Sequence, residues 1–386
     1  MVKVVIKKKK TSTYVPGLSR NIQLHHEDSN PFEEFYFRDT FDNQRQFGLQ
    51  IAKTFLDLTK LIVLAIAPTQ SGKTGSMLSA LYHFYNHSEL KMPKENIFII
   101  TAHSSNEWVV QTKSRFPSFM KSHIYHRNTL KHFVKQVQNL KNVIIIIDEA
   151  HIAANASQTL NLIFKQLNFY DLKHLCNNNI KFLLFTATPN ALTRDILKWN
   201  EYHAILHMQN IPSLYKSYDF YNDNLLLLPM RDISDFDWVE FKTNPETLDN
   251  IRLILDVIDL NTPKYHIIRT HRSYKHFVTI YNFIHAFSKH NFKFISELYL
   301  EDLDNILSIQ PKVHTFIFIK DKLRCAKTLN HQHLLVLYER FTTKSKSDTI
   351  LQGLLGRATG IHTFKHVVFS TLNFKTTNLP YSFLIN

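Results

Sequence analysis

Hydrophobic positions along this chain fall in short unbroken runs rather than in alternation. "LIVLAIA" (61–67), "NIFIITA" (96–102), "NVIIIID" (142–148) and "IKFLLFTAT" (180–188) have no polar residue at every second place. A strand covered on both faces reads this way, so the runs predict a parallel sheet with helices on both sides. Between them lie stretches with helical spacing of apolar residues, "TGSMLSALYHFY" (74–85) and "NEWVVQTKSRF" (106–116). The rhythm fades over 205–245, where "YKSYDFYNDN" sits, and then resumes. A helix is expected over 245–259, a strand over 265–270 and a helix over 273–288. Strands at 314–320 and 333–338, a helix at 346–358 and a strand at 366–372 complete the series. The pattern therefore predicts two consecutive α/β units. A polar arm (1–30) precedes the first unit (31–205), and a linker or elaboration (206–245) leads to the second (246–386).

Composition narrows the class without naming it. With 44% hydrophobic and 20% charged residues, the 386-residue chain is globular. Its longest apolar run, "LIVLAIA", falls far short of the roughly 20 residues that span a bilayer. The N-terminus lacks the apolar region of a secretory signal, so no membrane association is expected and an intracellular place, cytoplasmic or nuclear, is. Two cysteines exclude a disulfide framework and a cysteine-rich zinc site. Histidines number 22; His203 and His207 have helical i,i+4 spacing but no third ligand beside them, so no histidine metal site is expected. The formal charge of +14 favours a polyanionic partner, because neutralising phosphates releases counterions. Part of that excess is the Lys7–Lys10 run, which reads as a tail. Abundant Phe and Tyr beside scarce Gly point to an AT-rich gene.

The motifs carry the chemistry. "APTQSGKT" (67–74) follows an apolar run and opens a helix, the setting of a phosphate-binding loop. Backbone N–H groups of Gln70, Ser71, Gly72, Lys73, Thr74 and Gly75 would cradle phosphates at the helix N-terminus. Lys73 would reach the β- and γ-phosphates, and the Thr74 hydroxyl would ligate Mg²⁺. "IIIIDEAH" (144–151) places Asp148 and Glu149 at the carboxyl end of a central strand, where ligands of open α/β sheets bind. Asp148 can hold Mg²⁺, and Glu149 can take a proton from an attacking water.

Together these motifs resemble the superfamily 2 helicases of DEAD/DEAH-box type, most like those encoded by large DNA viruses and phages. The resemblance implies an α/β fold of two tandem RecA-like (P-loop NTPase) domains with mainly parallel sheets, and an ATP site in the cleft between them. "FTATP" (185–189) resembles motif III, with Thr186 and Thr188 coupling ATP state to nucleic-acid grip, as His151 of the DEAH tetrad would. "RDTFDNQRQ" (38–46) resembles the adenine-recognising glutamine motif, with Gln44 as the choice and Gln46 as the alternative. "TAHSSNEWVVQTKSRFP" (101–117) resembles motif Ia, whose hydroxyls Thr101, Ser104 and Ser105 would contact the nucleic-acid backbone.

Glycine supplies a further clue. The chain has 7 glycines; none stands between Gly75 and Gly353, and three fall within "LQGLLGRATG" (351–360). This window resembles motif VI, which presents an arginine finger, here Arg357, with Gln352 positioning the loop. Two departures stand out. Motif VI usually carries a second arginine three residues after the first, where Gly360 stands. Motif V usually contains Gly-x-Asp, and "LRCAKTLN" (323–330) offers Ala326 and Thr328 instead. ATP turnover would then be slow or differently organised.

The resemblance implies an ATP- and Mg²⁺-dependent helicase or translocase stepping along a nucleic-acid strand. The TAT-Pro form of motif III favours DNA over RNA. A duplex translocase that does not unwind, an RNA helicase and a nucleic-acid-binding protein with a weakened ATPase are the alternatives. A viral relative would work at a replication site or in a virion.

Overall fold

The four apolar runs of the first unit form strands of one sheet, as a buried parallel arrangement requires. In chain order its strands are β1 (Ile62–Ile66), β2 (Ile97–Thr101), β3 (Ile124–Tyr125), β4 (Val143–Asp148), β5 (Ile180–Thr186) and β6 (His203–His207). They lie in the order β3-β2-β4-β5-β1-β6, and every pairing is parallel. The computed structural model describes residues 30–90, 92–102, 104, 106–150, 159–189, 192–193, 196–297, 303–320, 329–342 and 353–371.

One hydrophobic core lies on each face of this sheet. Val63, Ala65, Ile99, Ile144 and Ile146 point to one side, with helix Asp42–Leu56 and helix Lys73–Asn86 packed there. Ile62, Leu64, Ile66, Ile145 and Ile147 point to the other. Successive residues of a strand feed opposite cores, which is why no polar alternation is visible.

The second unit repeats the plan. Two short strands, β7 (Tyr215–Lys216) and β8 (Leu227–Pro229), precede a hairpin of β9 (Phe236–Asp237) and β10 (Lys242–Thr243). Then come β11 (Tyr265–Thr270), β12 (Lys293–Ser296), β13 (Thr315–Lys320), β14 (Leu334–Tyr338), β15 (Gly360–Ile361) and β16 (Val367–Ser370). The second sheet runs β12-β13-β11-β14-β16-β8, again parallel throughout. Two six-stranded parallel sheets with flanking helices thus follow one another, the tandem RecA-like arrangement.

Several local expectations change. His203 and His207 lie on β6, not on a helix, so their four-residue spacing does not bring them one turn apart. The span 206–245 is more than a connection, because β8 within it forms an edge of the second sheet. The helix expected over 245–259 stops at Arg252 and tightens into a 3-10 turn at Leu255–Val257. Ile251, Ile254 and Ile258 remain buried in one core through that turn. Of the helix expected at 346–358, Leu354–Ala358 falls within the described residues.

The two units also touch directly. β7 pairs antiparallel with β15, so a strand just past the first sheet joins a strand of the second unit. No helix among the described residues is long and apolar enough to cross a membrane.

Candidate functional site

The loop after β1 reverses sharply. Gln70 has φ 60° and Gly72 φ 96°, both in the left-handed region, where glycine alone is free of a Cβ penalty. Ser71 folds back onto Pro68 O through its amide (3.3 Å) and its hydroxyl (2.8 Å). Helix Lys73–Asn86 starts immediately afterwards, and its first N–H groups have no partner inside the helix. This is the fixed, positively polarised nest that a phosphate chain needs.

Gln44 is built into that loop. It is buried, its amide nitrogen donates to Ser71 O at 3.4 Å, and its amide oxygen accepts from Phe41 N at 3.2 Å. A Cβ added at either Gly72 or Gly75 would stand 1.9 Å from the Gln44 amide, so both glycines leave room for this one side chain. A third glycine brings it there. A Cβ at Gly48 would meet Ser79 Oγ at 2.3 Å and the Ala80 backbone at 2.6 Å, so helix Asp42–Leu56 reaches helix Lys73–Asn86 at glycine distance.

β4 supplies the acidic pair. In the sheet order β4 and β1 flank β5, so their ends lie two strand spacings apart, about 9–10 Å. Lys73 bridges that gap: its Nζ donates to Glu149 Oε1 at 2.8 Å, with side-chain exposures of 13% and 7%. Glu149 has a left-handed backbone, φ 54°, which turns the chain off the end of β4. Asp148 accepts from the Glu149 amide at 3.0 Å and from the Trp108 indole at 2.8 Å. Burial, then the neighbouring Glu149 carboxylate, pushes the Asp148 carboxyl up to about 6, while Lys73 and the Trp108 hydrogen bond pull it down. Arg115 from the same helix as Trp108 reaches the Thr74 hydroxyl at 3.4 Å. Lys73, Thr74, Asp148 and Glu149 therefore form one cluster.

Thr186 and Thr188 close the middle. Both are buried, the Thr188 amide donates to Thr186 Oγ1 at 3.0 Å, and Ala67 N donates to Thr186 O at 3.0 Å. The segment is thus tied to the start of the phosphate loop. Thr101 corrects an expectation: it is fully buried and registered against Asp148, so it is not a group that a nucleic-acid backbone would meet. Ser104 is exposed. Ser105, His151 and Gln352 lie outside the described residues, as do Ala326 and Thr328.

The second unit comes to the same loop. Arg357 is buried on helix Leu354–Ala358. That helix is held at its start by Glu339, whose Oε2 accepts from Leu354 N at 2.9 Å while Arg269 grips both carboxylate oxygens at 2.8 and 3.0 Å. Just beyond Arg357, Tyr215 OH donates to Thr69 O of the loop after β1 at 2.7 Å, and Thr359 Oγ1, which donates to Gly356 O at 2.9 Å, lies 3.3 Å from the same carbonyl. A Cβ at Gly360 would approach Gln70 Cβ to 3.3 Å, and its φ of 133° is one that L side chains rarely adopt. The place of the missing second arginine is thus a contact with the phosphate loop. Trp108, Tyr215, Arg269 and Glu339 were not singled out from sequence; each acts through a long-range contact that no local spacing announces.

No family model matches the chain. A mimivirus protein, the uncharacterized protein L594 of Acanthamoeba polyphaga mimivirus, is 24% identical over 362 residues, covering 87% of this chain and 86% of its own. Solved structures similar to the chain include Saccharomyces cerevisiae Dbp5 bound to RNA and ADP BeF3, 13% identical with a TM-score of 0.48, covering 89% of this chain and 90% of that one. The Escherichia coli DEAH/RHA helicase HrpB is 13% identical with a TM-score of 0.45, covering 75% of this chain and 36% of its own.

Proposed function

We propose that the protein is a nucleic-acid-stimulated ATPase of the superfamily 2 helicase type, with ATP–Mg²⁺ bound between its two α/β units. The observation that carries this reading is the meeting of Lys73 with Glu149 at 2.8 Å on a loop that Thr359 of the second unit also contacts. The residues fit the group: the loop N–H nest and Lys73 suit a triphosphate, and Thr74 and Asp148 offer the hydroxyl and carboxylate that suit a hard cation. Bound Mg²⁺ would neutralise charge developing on the β- and γ-phosphate oxygens.

The chain's own groups then divide the work. Lys73 leaves Glu149 for the more highly charged polyphosphate, and the freed carboxylate takes the proton of the attacking water. Arg357 of the second unit would steady the charge of the γ-phosphate as the bond to the leaving group breaks. The Thr359 and Tyr215 contacts to Thr69 set how closely that unit approaches. Ser104 and the +14 charge serve a strand lying across both units. The TAT-Pro form of motif III favours DNA, and the viral relative suggests work inside an infected cell.

ATPase activity measured with no polymer, single-stranded DNA and single-stranded RNA tests this. Stimulation by at least one of them is expected, and a strand-separation assay on tailed duplexes tells unwinding from translocation. No hydrolysis with any polymer would overturn the reading.

A further inference from the structure

We propose that His331, His362 and His366 form a binding site for a transition-metal ion that prefers imidazole, zinc(II) above all. One ring nitrogen from each lies within 4.8 Å of those of the other two. His331 comes from the turn before β14, and His362 and His366 from the loop between β15 and β16. His366 is fully buried and the other two are half-buried. The triad lies far from Asp148 in the sequence and belongs to no motif of the ATP site.

Backbone carbonyls fix the orientation of two of these rings. A neutral imidazole has one N–H to give, so three rings have three. Four polar contacts surround them, one of which, between His362 and Phe364, is exposed. His362 Nε2 lies 2.8 Å from Ala358 O and its Nδ1 3.1 Å from Phe364 O, two acceptors for one ring. His366 Nδ1 lies 3.1 Å from Leu334 O. His331 Nδ1 and His366 Nε2 lie 2.8 Å apart and share the remaining proton.

A cation would bind through ring lone pairs and leave the N–H groups on the backbone carbonyls. His366 would ligate through Nε2 and keep its Nδ1–H on Leu334 O. His362 would ligate through Nδ1, keep its Nε2–H on Ala358 O and release Phe364 O. In both, the second ring nitrogen stays fixed on a backbone carbonyl, as metal-bound histidines almost always arrange it. Nitrogens about 2.0–2.1 Å from one tetrahedral ion stand ~3.3 Å apart. Binding therefore opens the His331–His366 contact slightly and turns His362 out of its stack on His331, where the ring centroids are 4.2 Å apart. All three candidate ligands are nitrogens, which suits zinc and not calcium or magnesium.

The site would act on the connection to the phosphate loop. Ala358 O, which His362 holds, also accepts from Tyr221 OH at 2.6 Å and ends the helix that carries Arg357. An ion here would stiffen β15, and with it the approach of Gly360 to Gln70.

Cobalt(II) titration of the full-length protein, stripped with chelator and free of nucleotide, tests the site without any activity readout. One Co²⁺ per chain is expected, with visible absorption bands of tetrahedral intensity that Zn²⁺ abolishes and excess Mg²⁺ leaves in place. Zn²⁺ should also raise the melting temperature. His331→Gln and His362→Gln should each weaken Co²⁺ at least ~10-fold, and His203→Gln on β6 should not. The wild-type titration decides first: absence of stoichiometric Co²⁺, or displacement of it by Mg²⁺, overturns the proposal whatever the variants do. Binding that survives both triad substitutions unchanged overturns it equally.

Discussion

Trp108 donates its indole N–H to Oδ2 of Asp148 over 2.8 Å, joining helix Asn106–Arg115 to the carboxylate at the end of β4. The loop before that helix carries Ser104, which is exposed. A nucleic-acid strand gripping this loop would thus act on the proposed Mg²⁺ carboxylate through one side chain. The hydrogen bond also favours the charged form of Asp148, against the burial that raises its pKa.

Trp108→Phe keeps the ring packing and removes the donor. The Asp148 pKa should rise further, so protons compete better and the Mg²⁺ concentration for half-maximal ATPase should increase by ~10-fold or more, the scale of one hydrogen bond to a charged group. Stimulation by nucleic acid should fall as well. Identical Mg²⁺ curves and stimulation ratios for both proteins would remove Trp108 from this role.

Glu149→Gln tests the proposed base. The amide cannot take a proton, while Lys73, Thr74 and Asp148 keep their places around the phosphates. Nucleotide binding, followed with a fluorescent ATP analogue, should be retained. Turnover should drop by at least ~100-fold, the usual contribution of a positioned base. Wild-type turnover in this variant would exclude Glu149 as the base.

The sheets were legible in the sequence because burial on both faces removes every polar break from "LIVLAIA" and "VIIIID", and their runs coincide with β1 and β4. The loop and the acidic pair were legible because strand ends bring Lys73 and Glu149 together, 76 residues apart in sequence. What escaped lies in contacts with no local signature. Glu339 reads as any surface glutamate until Arg269, 70 residues earlier, is seen to pair with it. Helix Asp42–Leu56 was visible as a motif and not as an element, and its Gly48 makes sense only against Ser79. The histidine triad escaped because His331 and His366 are 35 residues apart and lie in loops, which have no spacing rule.

A buried histidine pair in the second sheet makes stability depend on pH. His266 on β11 is fully buried, and its Nε2 lies 3.0 Å from His314 Nδ1. Burial, and then His314, hold its imidazole well below the ordinary range. The unfolded chain takes up a proton there below about pH 6.5 and the folded chain does not, so stability falls as pH drops. Urea unfolding between pH 7.5 and 5 should show this. His266→Phe should make the slope shallower by up to ~1.4 kcal/mol per pH unit. An unchanged slope would mean that His266 protonates in the folded state.

Gly360 offers the sharpest test of how the two units cooperate. Where the helicase resemblance leads one to expect a second arginine, this chain has a glycine at φ 133° whose missing Cβ leaves 3.3 Å to Gln70. Placing an arginine there should therefore lower the proposed ATPase activity. Gly360→Arg must strain the backbone and push Gln70, moving the Thr359 contact off Thr69. Gly360→Ala, which adds only the Cβ, should show the same loss in smaller degree. Steady-state ATPase with saturating nucleic acid should fall in the order wild type, Gly360→Ala, Gly360→Arg. Arg357→Ala should lie lower still, because fingers of this kind are worth roughly 10³-fold or more in rate. Nucleotide affinity should stay within a few-fold in Arg357→Ala, since Lys73 and the loop N–H groups belong to the first unit. A gain of activity in Gly360→Arg would show that the position serves charge, and that its closeness to Gln70 is incidental.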